Sequence, residues 1–535
     1  MEEILFLILG LIIAVSFLVL IAQRLKIAYP ILLVIAGLVF GFLPQVPNVH
    51  IDPDMVFFII LPPVLFDAAQ DISWKSLWKW RRIITVMAFG YVLLTAAAVA
   101  FLSHWLIPGF TISQGFLLGA IVSPPDAAAA TSVLRYIKLP KAVVSILQGE
   151  SLLNDAASLT LFRFALIAIT SHNFVWHEAA TGFLFITFSG IAVGLVIGFI
   201  FYAIYRWLPT TANLDIALSL ALPYLLYLTA ESFHSSGVLA VVSGGLFIAY
   251  HNHFVFSHSS RLKSNAIWSS VVFILNAVIF LIIGLQLPVI IHGLKEVTFI
   301  RALELAGIIT VAIIAVRMLS GFASTWFTVF ISKYITVAQS RPGWRNPVIV
   351  SWVGMRGVVS LASALSIPLM LSAGRPFPHR DLILFITYVV IIVTLVFQGL
   401  TLPWVISKIQ PETFPGDKPD GQQLSEIETE LFTSALKQID EKYKDDVEAN
   451  TLIKNRVEQW RLKQELFSEI HSDENKRKEG KEIINRFKTV IMDLLEHERN
   501  ELHAFRKIDG YDDDIIKKIE NQLDLEEQRI QQNDE

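Results

Sequence analysis

Up to residue 408 the chain is a succession of long apolar runs separated by short polar loops. A run of about 20 apolar residues spans the hydrocarbon of a bilayer as a helix. In lipid only helices or closed barrels satisfy every backbone donor and acceptor, and these runs are too long for barrel strands. Composition agrees, because 54% of the 535 residues are hydrophobic and only 17% are charged, well outside the range of a soluble domain. The expected fold class is therefore an all-α polytopic membrane protein.

We place about thirteen transmembrane helices between residues 4 and 406, with span five at 115–134, span six at 142–169 and span twelve at 347–371. The second, 29–43, and the ninth, 237–250, are short. Loop charges test the count, since Lys and Arg accumulate on the cytoplasmic side. One set of alternate loops holds Arg24, Lys26, Lys75, Lys79, Arg81, Arg82, Arg135, Lys138, Lys141, Arg206, Arg261, Lys263, Lys333, Arg341 and Arg345. The other holds only Lys295, Arg301, Arg375 and Arg380. That asymmetry requires an odd number of spans and predicts an outside N-terminus and a cytoplasmic C-terminus. Met1–Ile21 carries Glu2 and Glu3 and no basic leader, so we read it as a retained span.

Two domains are expected. Residues 1–408 hold 23 Lys and Arg against 15 Asp and Glu, whereas residues 409–535 hold 20 against 32. After the linker Pro411–Gly421 the pattern becomes heptad-like, which predicts an acidic helical cytoplasmic tail. The tail can serve as a regulator, an oligomerisation element, a partner platform or a solvated appendage; its sequence names no ligand. The chain has no cysteine, hence no disulfide or thiolate metal site.

Ionisable residues inside a span are costly and are functional candidates by default. Here they are Asp126, Glu150, Asp155, Arg163, Arg317 and Arg356, with Asp67, Glu231 and Glu304 near span ends. In span six, helical spacing puts Ser151, Asn154, Asp155 and Ser158 on one face, a stripe of oxygen ligands suited to a hard monovalent cation. A carboxylate in such a place must be neutralised, by a proton or by a metal cation, and that competition is already an exchange mechanism. Span five contains Ser123, Pro124, Pro125 and Asp126, where two prolines break the helix and free carbonyls. Span twelve contains the weak stretch Trp352–Gly357. The two spans run in opposite directions, as an inverted repeat of spans one to six and eight to thirteen requires. Glu150 is the acid we pair with Arg356, while Arg163 and Arg317 are expected to face the bundle or carbonyls, without a transport role. Asp67, after Leu61–Phe66, is a candidate for a cytoplasmic funnel. His251, His253 and His258 read as loop histidines in preference to metal ligands.

These residues resemble the sodium/proton antiporters of the monovalent cation/proton antiporter superfamily, in the branch with an Asn-Asp pair, over roughly residues 1–408. Gly149–Asp155 is similar to that family's signature almost letter for letter; Leu61–Phe66, Phe280–Gln286 and Trp352–Gly357 add to it. The resemblance implies Asp155 as the shared ligand of cation and proton, helped by Asn154, Ser151 and the broken spans at Ser123 and Asp126. It also implies a Glu150–Arg356 salt bridge, two crossing unwound helices, a homodimer and alternating access in the plasma membrane. One titrating acid beside Asn154 implies electroneutral exchange. Many relatives have Thr-Asp-Pro where this chain has Pro124, Pro125 and Asp126, so either the Asp126 side chain or backbone oxygens alone line the site. No cofactor, nucleic-acid partner or further metal is expected, and the absence of H-E-x-x-H, G-x-S-x-G or a phosphate loop argues against an enzyme. The competing readings are a monovalent cation channel, for which no filter repeat is visible, and a membrane sensor acting through its tail.

Overall fold

The computed structural model describes residues 2–43, 56–134, 139–171, 176–294, 297–331, 343–371, 375–412, 420–470, 474–505 and 513–531. Arg135, Lys138, Lys295, Lys333 and Arg341 of the loop-charge pattern, and most of the Pro411–Gly421 linker, lie outside them. The chain divides into two compact units, Met1–Pro415 and Gly416–Glu535.

The first unit is helical: α1 Glu2–Leu25, α2 Tyr29–Gly41, α3 Leu61–Asp71, α4 Trp74–Leu106, α5 Ile112–Val122, α6 Ala127–Leu134 and α7 Lys141–Ser171. It continues with α8 Trp176–Trp207, α9 Ala212–Ser232, α10 Gly237–Val255, α11 His258–Gly293, α12 Phe299–Ile331, α13 Arg345–Trp352, α14 Val358–Leu365 and α15 Arg380–Ile409. Among the described residues eight helices, α4, α7 to α12 and α15, are long and apolar enough to cross a membrane, not the thirteen expected. The shortfall has two physical sources. The stretch Leu9–Leu25 of α1 and the helix α2 fall below the 18 residues a span requires, and spans five and twelve are each divided into half-helices by their breaks.

Outward-facing side chains show why this unit needs lipid. Phe101, Trp105, Phe185, Phe188, Val311 and Leu319 are all more than 60% exposed, a surface that acyl chains cover and water does not. Inside, the helices form two apolar clusters. One is built on α2, α4, α5, α7, α12 and α15, the other on α3 and α8 to α11 with Leu152 and Ala156 of α7. Close approach needs small residues, since lipid supplies no hydrophobic drive between helices. At the crossing of α2 and α11, a Cβ on Gly284 would lie 2.7 Å from the Cα of Gly37, so larger residues would separate the pair.

Two of the long helices carry π-bulges, Val86–Tyr91 in α4 and Thr394–Gln398 in α15. Such bulges re-aim side chains and recur near functional sites. Here they direct Tyr91 and Thr394 toward the broken spans.

The second unit comprises α16 Asp420–Lys442, α17 Lys444–Ala449, α18 Thr451–Ile470, α19 Glu474–Phe505 and α20 Asp513–Gln531. Its small core includes Leu436, Val457, Leu495, Ile516 and Leu523. Arg499 ties α19 to α20 through Asp524, at 2.6 Å, and Glu527.

Candidate ion-binding site

The site begins where two helices stop short of each other. α5 is started by a capping box, Thr111 with Gln114, and ends at Val122 because Pro124 and Pro125 can neither donate N–H groups nor continue the helix. The chain resumes as helix at Ala127. α13 likewise ends at Trp352 and α14 starts at Val358. The two breaks touch: the Asp126 N–H donates to the Met355 carbonyl at 2.7 Å.

Crossed half-helices bring like poles together, and each pair of ends needs opposite charge. Arg356, fully buried, serves the carbonyl ends: its Nε donates to Val122 O at 3.0 Å and one terminal nitrogen to Gly354 O. Its backbone N–H donates to Thr394 Oγ1 at 3.1 Å, and its other terminal nitrogen to the Tyr91 hydroxyl. Asp126 serves the amide ends, accepting from Ala129 N at 3.4 Å at the start of α6. Its carboxylate lies against Gly357, at the start of α14, where an added Cβ would come within 2.6 Å of the Asp126 Cγ. Gly357→Ala would therefore push that carboxylate aside.

Asp155, 8% exposed, lies on the wall of a cavity of about 520 Å³. The same wall carries Ser151, Asp126, Asp67, Asp71 and Ser360. Among the described residues no side chain or backbone group donates to the Asp155 carboxylate, and Ser158 turns to its backbone carbonyl at 3.1 Å. Asp155 thus faces the cavity without a donor among the described residues.

Several expectations are corrected. Glu150 does not pair with Arg356. Its two oxygens accept from Arg317, one at 2.8 Å, and both residues are fully buried. The reason is location: Arg356 is committed to the carbonyls of the breaks, while Arg317 on α12 reaches across to α7 and stacks on the Tyr91 ring at 4.5 Å. Arg317 thus has an acid partner after all. Arg163 has one too, Glu231 at 2.7 Å. Ser123 is buried but donates back to Ala120 O at 3.1 Å, off the cavity wall. Asn154 is also off that wall, and its Nδ2 donates to Pro125 O at 3.3 Å. Asn154 holds a carbonyl freed by the proline break.

Sequence reasoning missed Tyr91, Thr394 and the polar cavity residues Asp71, Asn252, Asn265 and Asn276. A tyrosine inside the apolar run of span four was the one legible signal. Asn252 closes α10, while Asn265 and Asn276 lie eleven residues apart on one face of α11, and the two helices bring them to one cavity only in three dimensions.

Two interrupted helices crossing in a membrane, their ends compensated by one buried arginine and one acid beside a cavity with a second acid, define a secondary ion transporter. Comparison with known proteins sharpens this. The profile described as "Sodium/hydrogen exchanger, transmembrane" matches residues 10–408. An uncharacterized Na(+)/H(+) exchanger of Mycobacterium tuberculosis is 29% identical over 514 residues, covering 95% of this chain and 93% of that one. The sodium, potassium, lithium and rubidium/H(+) antiporter of Bacillus subtilis is 32% identical over 386 residues, 70% of this chain and 57% of that one. The solved sodium proton antiporter MjNhaP1 of Methanocaldococcus jannaschii shares the fold, with a TM-score of 0.62 at 19% identity, covering 77% of this chain and all of that one. The chain belongs to the sodium/hydrogen exchanger family. It is a secondary antiporter, exchanging a monovalent cation for protons across a membrane.

Proposed function

We propose that the cation and the proton compete for Asp155, that Ser151 and Asp126 complete the ligand set, and that Asn154 positions the Pro125 carbonyl beside it. The observation that carries this reading is an acid, nine-tenths buried, facing a cavity while both nearby buried arginines are engaged elsewhere. Either neutral form, protonated or cation-bound, can be moved through the membrane, whereas the bare anion cannot. Sodium is the first substrate to test, and the name of the Bacillus relative adds potassium, lithium and rubidium. Asp67 and Asp71 line the same cavity and suit a cation funnel.

One titrating acid makes the exchange one for one and electroneutral. Purified protein in vesicles with an imposed pH gradient should then move protons on cation addition at a rate unchanged by an imposed membrane potential. A rate that follows the potential would reject the stoichiometry.

Helices α1, α2 and α3 and the two broken pairs supply the passes beyond the eight long helices, which brings the count to thirteen, with spans one to six mirrored by eight to thirteen. The loop charges support an outside N-terminus and a tail in the cytoplasm of a plasma-membrane protein. A homodimer follows from the family resemblance, and mass measurement in detergent tests it. The acidic tail acts as a regulatory element: truncation after Pro415 should shift the pH dependence of exchange while leaving cation selectivity intact, since no site residue lies beyond it. Identical pH profiles would make the tail an appendage.

A further inference from the structure

α7 presents Leu152, Ala156, Leu159 and Arg163 on one helical stripe. Leu152 and Ala156 are buried in the cluster built on α3 and α8 to α11, and Leu159 packs against it. The stripe ends in a charge. Arg163 donates from Nη2 to both Glu231 oxygens, at 2.7 and 2.8 Å, and Glu231 Oε1 also accepts from the Gly237 N–H at 3.1 Å.

The acceptor side is itself tied together. In the turn between α9 and α10, Ser236 N donates to Ile186 O at 3.3 Å and Ser235 Oγ to Ser189 Oγ at 2.8 Å, both on α8. Helices α8, α9 and α10 thus meet at one end as a panel, and Arg163 joins α7 to that end.

The position of this pair relative to the cavity gives it meaning. The cavity wall takes Gln148, Ser151 and Asp155 from α7, Asn252 from the last turn of α10 and Asn265 from early α11. It therefore faces the end of the bundle where α10 joins α11. Arg163 lies eight residues beyond Asp155, about 12 Å along the helix, and its partners sit at the close of α9 and the start of α10, the opposite end.

We propose that Arg163 and Glu231 are positioning residues of the exchange cycle: their ion pair latches α7 to the α8–α10 panel and closes the pathway on the side away from the cavity. The proposal rests on the antiport reading of Asp155. An apolar stripe can slide between two registers at little cost, but an ion pair is either made or broken, so it weights the two access states. Removing it shifts the population toward the state open on the latch side, which binds cation better from that side and worse from the cavity side.

The chain's lack of cysteine permits a clean test. Leu159→Cys places one thiol between Asp155 and the latch, and its modification by a membrane-impermeant maleimide added on the latch side reads access directly. Arg163→Gln and Glu231→Gln are expected to speed labelling at least about fivefold and to lower the cation KM on the latch side while raising it on the cavity side. The exchanged pair Arg163→Glu with Glu231→Arg, and the conservative Arg163→Lys, should return labelling toward the parent rate. Unchanged labelling in both neutral variants overturns the proposal, as does an exchanged pair that labels as fast as the single variants. Labelling does not require transport. Accelerated labelling in a protein that moves no protons on cation addition would sink the antiport reading and leave the latch standing.

Discussion

Asp155→Asn is expected to abolish cation-driven proton movement in reconstituted vesicles, to below a hundredth of the parent rate, while leaving the protein folded. Asparagine keeps the volume of the carboxylate but can neither take up a proton nor neutralise a cation, so both halves of the exchange lose their ligand. The fold should survive because no described group donates to that carboxylate, and nothing is left unpaired when it is neutralised. Cation-stimulated flux at several pH values, with size-exclusion profiles in detergent, separates the two effects. Normal exchange in this variant would move the site elsewhere.

Glu150→Ala is expected to do the reverse, destabilising the protein strongly whatever its effect on turnover. Its carboxylate meets Arg317 with both residues fully buried, and removing one partner of such a pair costs about 3–5 kcal/mol because the other charge is stranded. Arg317→Ala strands the carboxylate instead and should cost a similar amount. Replacing both by Met should recover much of the loss, since neither charge remains to be desolvated. Thermal aggregation in detergent measures the series. If Glu150→Ala melts with the parent, the pair contributes no stability. The cluster reaches further than the pair: Tyr91 stacks on Arg317 and accepts from Arg356, which links the ion pair to the carbonyls of the helix breaks.

What the amino-acid order alone determined is what depends on solvent and local chemistry. Apolar runs required lipid, Pro124 and Pro125 required a break, and Asp155 among Ser151, Asn154 and Ser158 marked a buried acid that the structure sets on the wall of the cavity. Each of these follows from a residue and its near neighbours in the chain. Partnership did not. Glu150 had two buried arginines to choose from, and sequence reasoning gave it Arg356 when the packing of α12 on α7 gives it Arg317. Arg163 found Glu231, 68 residues away, and the asparagines of the cavity came from the end of α10 and the body of α11. Ion pairs and cavities are made by helices that meet at angles and depths set by side-chain packing and close glycine crossings such as Gly37 with Gly284. Those distances exist only after folding, which is why the tertiary structure decided which charges meet and which acid was left open.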